Sequence, residues 1–558
     1  MKSKIMTPWI RFVSLLKLDR KDLRQLFLYA ILAGVVALSL PLGIQAIINL
    51  IQGAQISTSW IVLVVLVTMA VAFQGILQLM QLRILENIQQ KIFIRSSFEF
   101  AYRFPKIRTI ELRKYYPPEL ANRFFDTLTV QKGLSKILID FPAALLQILF
   151  GLLLLSFYHP FFILYGLLLI GLVYLLFQFT AAKGLATSLE ESKSKYKVAH
   201  WIQEVARSLM SFKLSGVTSL AMNRNDKLTV DYLDSREGHF RILLLQFAQF
   251  IGFKVLVTAG LLLIGGLLVL NQQMNIGQFV AAEIIILLVI NSVEKVITGL
   301  DTFYDVLTSL EKIGEVVDKE LEPQEGEDPF EREVPFHLEL DELRYSSPEG
   351  QDILKGISFE IDAADRILLQ GASGSGKTTL LKIISGVLEY TGGAFYINDR
   401  SYKGVWPNIY RSKLGQVLPD QSPFEGTILE NITFGREDIS NEEVHHVLRQ
   451  LELLDFVREQ PKGLKTKLYP EGQYIPYSVA IRIVLARAIV HKPKFLVLKD
   501  PLELVDSAIA ERIIEFLAAP ERPWALIVVS RNPLWEKACN RIIQLDDGKI
   551  LTKSGNHA

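Results

Sequence analysis

Six largely apolar runs, at residues 26–50, 60–82, 137–158, 161–179, 243–270 and 280–297, restrict this chain more than any other feature. A hydrocarbon core roughly 30 Å thick is crossed by about 20 mainly apolar residues in helical form, and each run has about that length. Six such runs could not stay exposed to water, which excludes a soluble enzyme. The connections at residues 52–59, 159–160 and 271–275 are short and carry no Lys or Arg, whereas residues 83–136 and 183–241 are long and basic. Positive charge collects on the cytoplasmic side, so the pattern predicts six spans with both termini in the cytoplasm.

The N-terminus does not read as a cleavable signal. Trp9, Ile10, Phe12 and Val13 are interleaved with Lys2, Lys4, Arg11, Lys17, Arg20 and Lys21, and no small-residue cleavage site follows. Residues 9–18 instead form an amphipathic segment expected to lie along the interface. The net charge of +1 argues against nucleic acid as a partner. With one cysteine, Cys539, the fold contains no intrachain disulfide.

The two basic stretches contain few helix breakers, so the spans are expected to continue as helices beyond the membrane and to turn near Pro117-Pro118-Glu119 and near residues 211–216. Two phrases frame the last span, Asn275-Ile276-Gly277-Gln278 before it and Glu311-Lys312-Ile313-Gly314-Glu315-Val316-Val317 after it. With them, residues 1–317 resemble the membrane domain of ABC exporters. Residues 318–334 are rich in Glu and Pro and read as an extended or mobile linker. From residue 335 to 558, short strand-like runs at 366–370, 495–498 and 525–529 alternate with helical ones, the signature of an α/β domain on a largely parallel sheet.

In that domain, Gly371-Ala372-Ser373-Gly374-Ser375-Gly376-Lys377-Thr378-Thr379 follows a strand and opens a helix. This is the context of a phosphate-binding loop, in which glycines let backbone N–H groups converge on phosphate oxygens at a helix N-terminus. Lys377 is the candidate for the β- and γ-phosphates and Thr378 for Mg²⁺. A nucleotide is the expected ligand. The domain resembles the ABC ATP-binding cassette, which implies ATP as cofactor and places Tyr345 where the family stacks an aromatic ring on adenine.

Laid on that family, the rest of the cassette departs from its pattern. Reading back from Arg482, Ile475-Pro476-Tyr477-Ser478-Val479 stands where the family has its LSGGQ signature. Pro476 brings no N–H and Tyr477 brings bulk where backbone must approach phosphate, which leaves the Ser478 hydroxyl as the one donor kept. Forward along Lys494-Phe495-Leu496-Val497-Leu498, Lys499 takes the place of the Walker B aspartate and Asp500 that of the catalytic glutamate. Pro501 and Asp506 match the family on the far side. A lysine there repels Mg²⁺, by roughly several kcal/mol at 5 Å and an effective dielectric near 20. Asp500 is one methylene shorter than glutamate, and misplacing a catalytic group by about 1 Å can cost on the order of a hundredfold. Before the family-like Pro423-Phe424-Glu425-Gly426-Thr427, the metal-contacting glutamine falls on Asp420, with Gln421 as a substitute. Ser530 replaces the switch histidine and precedes a family-like Arg531.

The resemblance therefore implies a half-transporter with a six-helix transmembrane domain and an α/β P-loop domain. It implies a bacterial inner membrane, membrane lipid and a second half-transporter as surroundings, and export of a peptide, lipid or small amphipathic cargo with weak or absent ATP hydrolysis. Each shared nucleotide site would combine one subunit's phosphate loop with the other's signature. A homodimer would then join two altered halves, and an intact partner would still leave each site with one altered half. The alternative expectation is a nucleotide-responsive sensor or assembly partner on an exporter scaffold. Lys254 and Glu283 fall within the fifth and sixth runs, where charge is costly; they are expected to pair, to face a substrate path, or to serve helix packing. With the first span starting near residue 26, no N-terminal peptidase domain is expected.

Overall fold

The computed structural model describes residues 6–52, 58–113, 115–178, 180–331 and 334–551. The chain divides into two compact units, one of Met1–Ile107 with Lys114–Glu320, the other of Arg108–Arg113 with Leu321–Ala558.

The first unit is helical. Pro8–Leu18 begins with proline at the start of its first turn and with Thr7 as N-cap. Phe12 is buried against Phe303, with ring centroids 5.9 Å apart, and Arg11 Nη1 donates to Asp318 Oδ1 at 2.8 Å. The amphipathic N-terminal segment thus packs its apolar face onto the last long helix. Among the described residues, five stretches have the length and apolarity of spans: Arg20–Gln52, Thr58–Lys106, Pro117–Ser156, Leu220–Leu270 and Ile276–Val317. The remaining run forms the helix Phe161–Gln178, apolar over Phe161–Tyr174.

Prolines interrupt two of these stretches. The first is broken at Leu38, between Arg20–Ala37 and Ser39–Gln52, just ahead of Pro41, which has no N–H to return to the preceding turn. The third widens to a π turn at Lys136–Asp140 before Phe141–Ser156, where Pro142 likewise withholds a donor from the ladder. The expected extensions beyond the membrane are long, since Thr58–Arg103 runs for 46 residues and Leu220–Leu270 for 51. The turns fall where the breakers are, in the short helices Pro117–Ala121 and Asn122–Phe125 and again at Leu209–Leu214. The phrase Asn275-Ile276-Gly277-Gln278 has a local cause, because it is a capping box. Gln278 N donates to Asn275 Oδ1 at 2.8 Å and Asn275 N to Gln278 Oε1 at 2.9 Å. Ile276–Val317 then supplies the centre of the core through Ile285, Val289, Ile290 and Val293. Lys254 and Glu283 are both exposed on their helices. Neither forms an ion pair among the described residues, so the expectation that they pair is not met.

Among the described residues the second unit holds twelve strands: β1 His337–Ser346, β2 Asp352–Asp362, β3 Arg366–Gln370, β4 Gly392–Ile397, β5 Arg400–Ser401, β6 Leu414–Val417, β7 Gly426–Thr427, β8 Lys467–Leu468, β9 Phe495–Lys499, β10 Ala525–Val529, β11 Arg541–Asp546 and β12 Lys549–Leu551. One sheet runs β12-β11-β3-β10-β9-β6 and is parallel except at β12; a second runs β2-β1-β4-β5 and is antiparallel. Strands β3, β9 and β10 are almost wholly buried apolar runs, as a parallel sheet covered on both faces requires. The acidic segment is extended, but it is strapped down rather than loose. Glu327 N donates to Gly404 O at 2.9 Å, Trp406 N to Glu327 O at 3.1 Å, and Asn398 Nδ2 to Pro329 O at 2.9 Å. Its carboxylates find arginines, Glu322 with Arg411 and Glu327 with Arg400.

Candidate nucleotide site

Strands β3, β10 and β9 lie side by side and parallel, with Val528 opposite both Leu368 and Leu498 and Val529 opposite Lys499. Their carboxyl ends therefore open into one crevice, where ligands of open α/β sheets bind. After β3 the chain turns through the glycine loop into the helix Lys377–Ile384, capped by Gly376 at φ +99°. Gly371 has φ +149°, and a Cβ there would stand 2.0 Å from the carbonyl oxygen of Leu545 on β11. This position accepts only glycine. The Lys377 ammonium donates to Gly371 O at 2.8 Å, Ala372 O at 2.6 Å and Ser375 Oγ at 3.2 Å.

The cavity beside the loop has a volume of about 830 Å³. It gathers Gly371, Ser373, Gly374, Gly376, Lys377, Thr378, Thr379, Asp500 and Ser530 from the residues expected at a nucleotide site, and Lys499 with them. Ser375 is buried beneath the loop and braces Lys377. Asp500 takes a left-handed φ of +45°, and its N–H donates to Val529 O at 2.8 Å. Its carboxylate is ion-paired with the ammonium of Lys499, its neighbour in the chain. Burial, and then the charges of Lys499 and Arg531, hold the Lys377 ammonium below its usual pKa.

Other expected residues lie elsewhere. Tyr345 is 4% exposed within the core. Its hydroxyl accepts from Arg113, and it lines a separate cavity of about 730 Å³ with Arg108, Leu388 and Tyr390. Asp420 is ion-paired with Lys382 at 2.5 Å, and Gln421 Oε1 accepts from Leu418 N at 3.2 Å inside its own turn. Ser478 sits in the first turn of Tyr477–Ile489 and offers its carbonyl to Arg482 Nε at 2.8 Å. Asp506 caps Ser507–Ala518 by accepting from Ala508 N at 3.0 Å. Ser530 Oγ accepts from Asn532 N at 3.1 Å, at the mouth of the cavity. The structure adds Gln351, Ile353, Glu503 and Arg531 to the lining. Gln351 and Ile353 come from around the start of β2, and no local motif marks them.

The donor set does not suit Mg²⁺. Lys499 stands at the Walker B position, Asp420 at the metal-contacting position is engaged by Lys382 and Asp500 at the catalytic position by Lys499, and the Thr378 hydroxyl with the exposed Glu503 carboxylate is a poor ligand set for a hard divalent ion. Among the described residues no group of three or more His, Cys, Asp or Glu is arranged to hold a metal.

Comparison with known proteins agrees with this architecture. The family model described as ABC transporter transmembrane region matches residues 24–293, and the one described as ABC transporter matches residues 354–503. A multidrug efflux ATP-binding/permease protein of Mycobacterium bovis (strain BCG / Pasteur 1173P2) is 26% identical over 288 residues, 52% of this chain and 24% of that protein. The alpha-hemolysin translocation ATP-binding protein HlyB of Escherichia coli O157:H7 is 26% identical over 363 residues, 64% of this chain and 50% of that protein. The matches thus span half or less of these relatives' own length. In fold, the chain superposes on a bacterial Atm1-family ABC exporter with ATP bound, with a TM-score of 0.82, 17% identity, and coverage of 95% of this chain and 94% of that one. The chain belongs to the ABC transporter family, and it joins a transmembrane region to an ABC transporter ATP-binding domain in the fold of an exporter.

Proposed function

We propose that this chain is the ATP-binding subunit of a dimeric exporter in a bacterial inner membrane, and that its cassette holds ATP but hydrolyses it slowly or not at all. One observation carries the reading. At the end of β9, Lys499 and Asp500 are paired with each other, facing the loop that carries Lys377. A carboxylate engaged this way is a poor general base, because its lone pairs are taken by an ammonium group. Ser530 and the Ile475–Val479 segment remove two further catalytic parts. The cargo class is a peptide, a lipid or a small amphipathic molecule, supported by the toxin and drug exporters among the relatives.

A second reading, a nucleotide-responsive sensor or assembly partner without its own transport cycle, is favoured by the signature position. There Pro476 precedes a Tyr477 that is 59% exposed where a partner's phosphate would have to approach. Purification of the tagged full-length chain from its native membrane separates the two. Steady ATP turnover stimulated by a lipid or peptide extract supports the exporter. ATP retention without turnover, together with a stoichiometric second membrane protein, supports the sensor. Retention of neither ATP nor ADP at millimolar concentration refutes both.

A further inference from the structure

Phosphate clefts of this kind ordinarily balance the charge of a triphosphate with a divalent metal held by carboxylates and a hydroxyl. Here the chain supplies cations where that metal's ligands belong. Lys377, Lys499 and Arg531 line the same cavity, against the carboxylates of Asp500 and Glu503. Asp500, at the catalytic position, is neutralised by Lys499, and Asp420, at the expected metal-contacting position, is neutralised by Lys382. A metal ion entering the cavity would meet repulsion from these three ammonium and guanidinium groups and, beyond the paired Asp500, one exposed carboxylate, Glu503, where a hard divalent ion needs several oxygen ligands.

A triphosphate entering without a metal meets the opposite field. The Lys377 ammonium already rests on loop carbonyls, poised for exchange onto phosphate oxygens. The Lys499 and Asp500 side chains are 20% and 22% exposed, so their ion pair sits at the edge of solvent and is a weak tie. Lys499 has a long flexible stem, and a compact ammonium is a point charge that can serve phosphate without the fixed geometry a guanidinium needs.

We infer that this cleft binds the nucleoside triphosphate free of divalent metal, with the Lys499 ammonium transferring from Asp500 to the phosphates and standing in for the missing ion. The inference rests on the nucleotide-binding reading above and deepens it by naming the form of the ligand. It also accounts for the slow or absent hydrolysis proposed above together with the glycine loop, because a lysine can neutralise phosphate charge but cannot organise an attacking water as a hydrated metal does.

The test is a titration of the full-length chain in detergent with a fluorescent ATP analogue, once in excess EDTA and once in excess Mg²⁺. The expected result is an affinity in EDTA equal to or tighter than that in Mg²⁺. Lys499→Asp should lose affinity in EDTA by about tenfold or more and become Mg²⁺-dependent, while Lys499→Met should lose affinity in EDTA without gaining that dependence. Wild-type binding that requires Mg²⁺ overturns this inference alone, and so does a Lys499→Asp protein that binds in EDTA as the wild type does. Absence of binding in both buffers overturns the nucleotide reading with it. Should either variant fail to fold, the wild-type comparison of the two buffers still decides.

Discussion

The ammonium of Lys377 lies 2.8 Å from the carbonyl oxygen of Gly371, six residues earlier in the same loop. The loop thus closes on its own lysine, and the nucleotide must exchange phosphate oxygens for those carbonyls. The cost is small because the ammonium is already partly desolvated, as its lowered pKa reflects.

Lys377→Ala therefore removes the one charge seated inside the loop. Hydrogen bonds to charged groups contribute about 1.5–3 kcal/mol, so ATP affinity should fall by roughly tenfold or more in an equilibrium titration. Lys377→Arg should not restore it, because a planar fork cannot fit between carbonyls arranged around a point charge.

Two loop glycines should respond differently to alanine. At Gly374, with φ +83°, a Cβ meets nothing within 4 Å, so the cost is the left-handed backbone alone, about 1–2 kcal/mol. Gly371→Ala adds a collision with the Leu545 carbonyl of β11, which should cost a further 1–3 kcal/mol or so. Thermal unfolding of the two variants should show the larger fall for Gly371→Ala.

Removing an authentic general base typically lowers turnover by about 10²–10⁴-fold. Asp500→Asn should change whatever turnover this chain has by less than about threefold, because without a hydrated metal no attacking water is organised for the carboxylate to deprotonate. Steady-state phosphate release from wild type and variant in parallel checks this.

His491 gives the cassette an acid-sensitive point. Its Nε2 lies 3.0 Å from Leu414 O, and burial pulls its pKa below the usual 6.5, with the nearby Arg436 adding to the effect and Asp438 opposing it. The unfolded chain therefore binds a proton near pH 6.5 while the folded chain does not. Stability should fall as pH drops from about 6.5 towards the lower folded pKa, and should level off below it. In thermal unfolding of the full chain between about pH 7.5 and 5.5, His491→Gln should show a shallower decline than wild type.

What could be read along the sequence was what depends on neighbours in the chain. The glycine loop, the Asn275–Gln278 capping box and the β9 register that brings Lys499 and Asp500 to the crevice all follow from short spacings. Features set by distant packing were not legible. Nothing near Tyr345 in sequence indicates that Arg113 holds its hydroxyl away from the crevice. The acidity of the segment before β1 suggested a free linker, because composition cannot show that Arg400 and Arg411 wait for its carboxylates. The Lys254 and Glu283 pairing failed for a similar reason, since placing two charges in adjacent apolar runs does not fix which way either helix turns.

The most direct measurement of the whole account is ATP turnover by the purified full-length protein in lipid, made alongside nucleotide retention. Bound ATP with turnover well below the roughly 1 s⁻¹ at the low end of ordinary enzymes is the result expected here. Turnover at about 1 s⁻¹ or faster, abolished by Lys377→Ala, would contradict it.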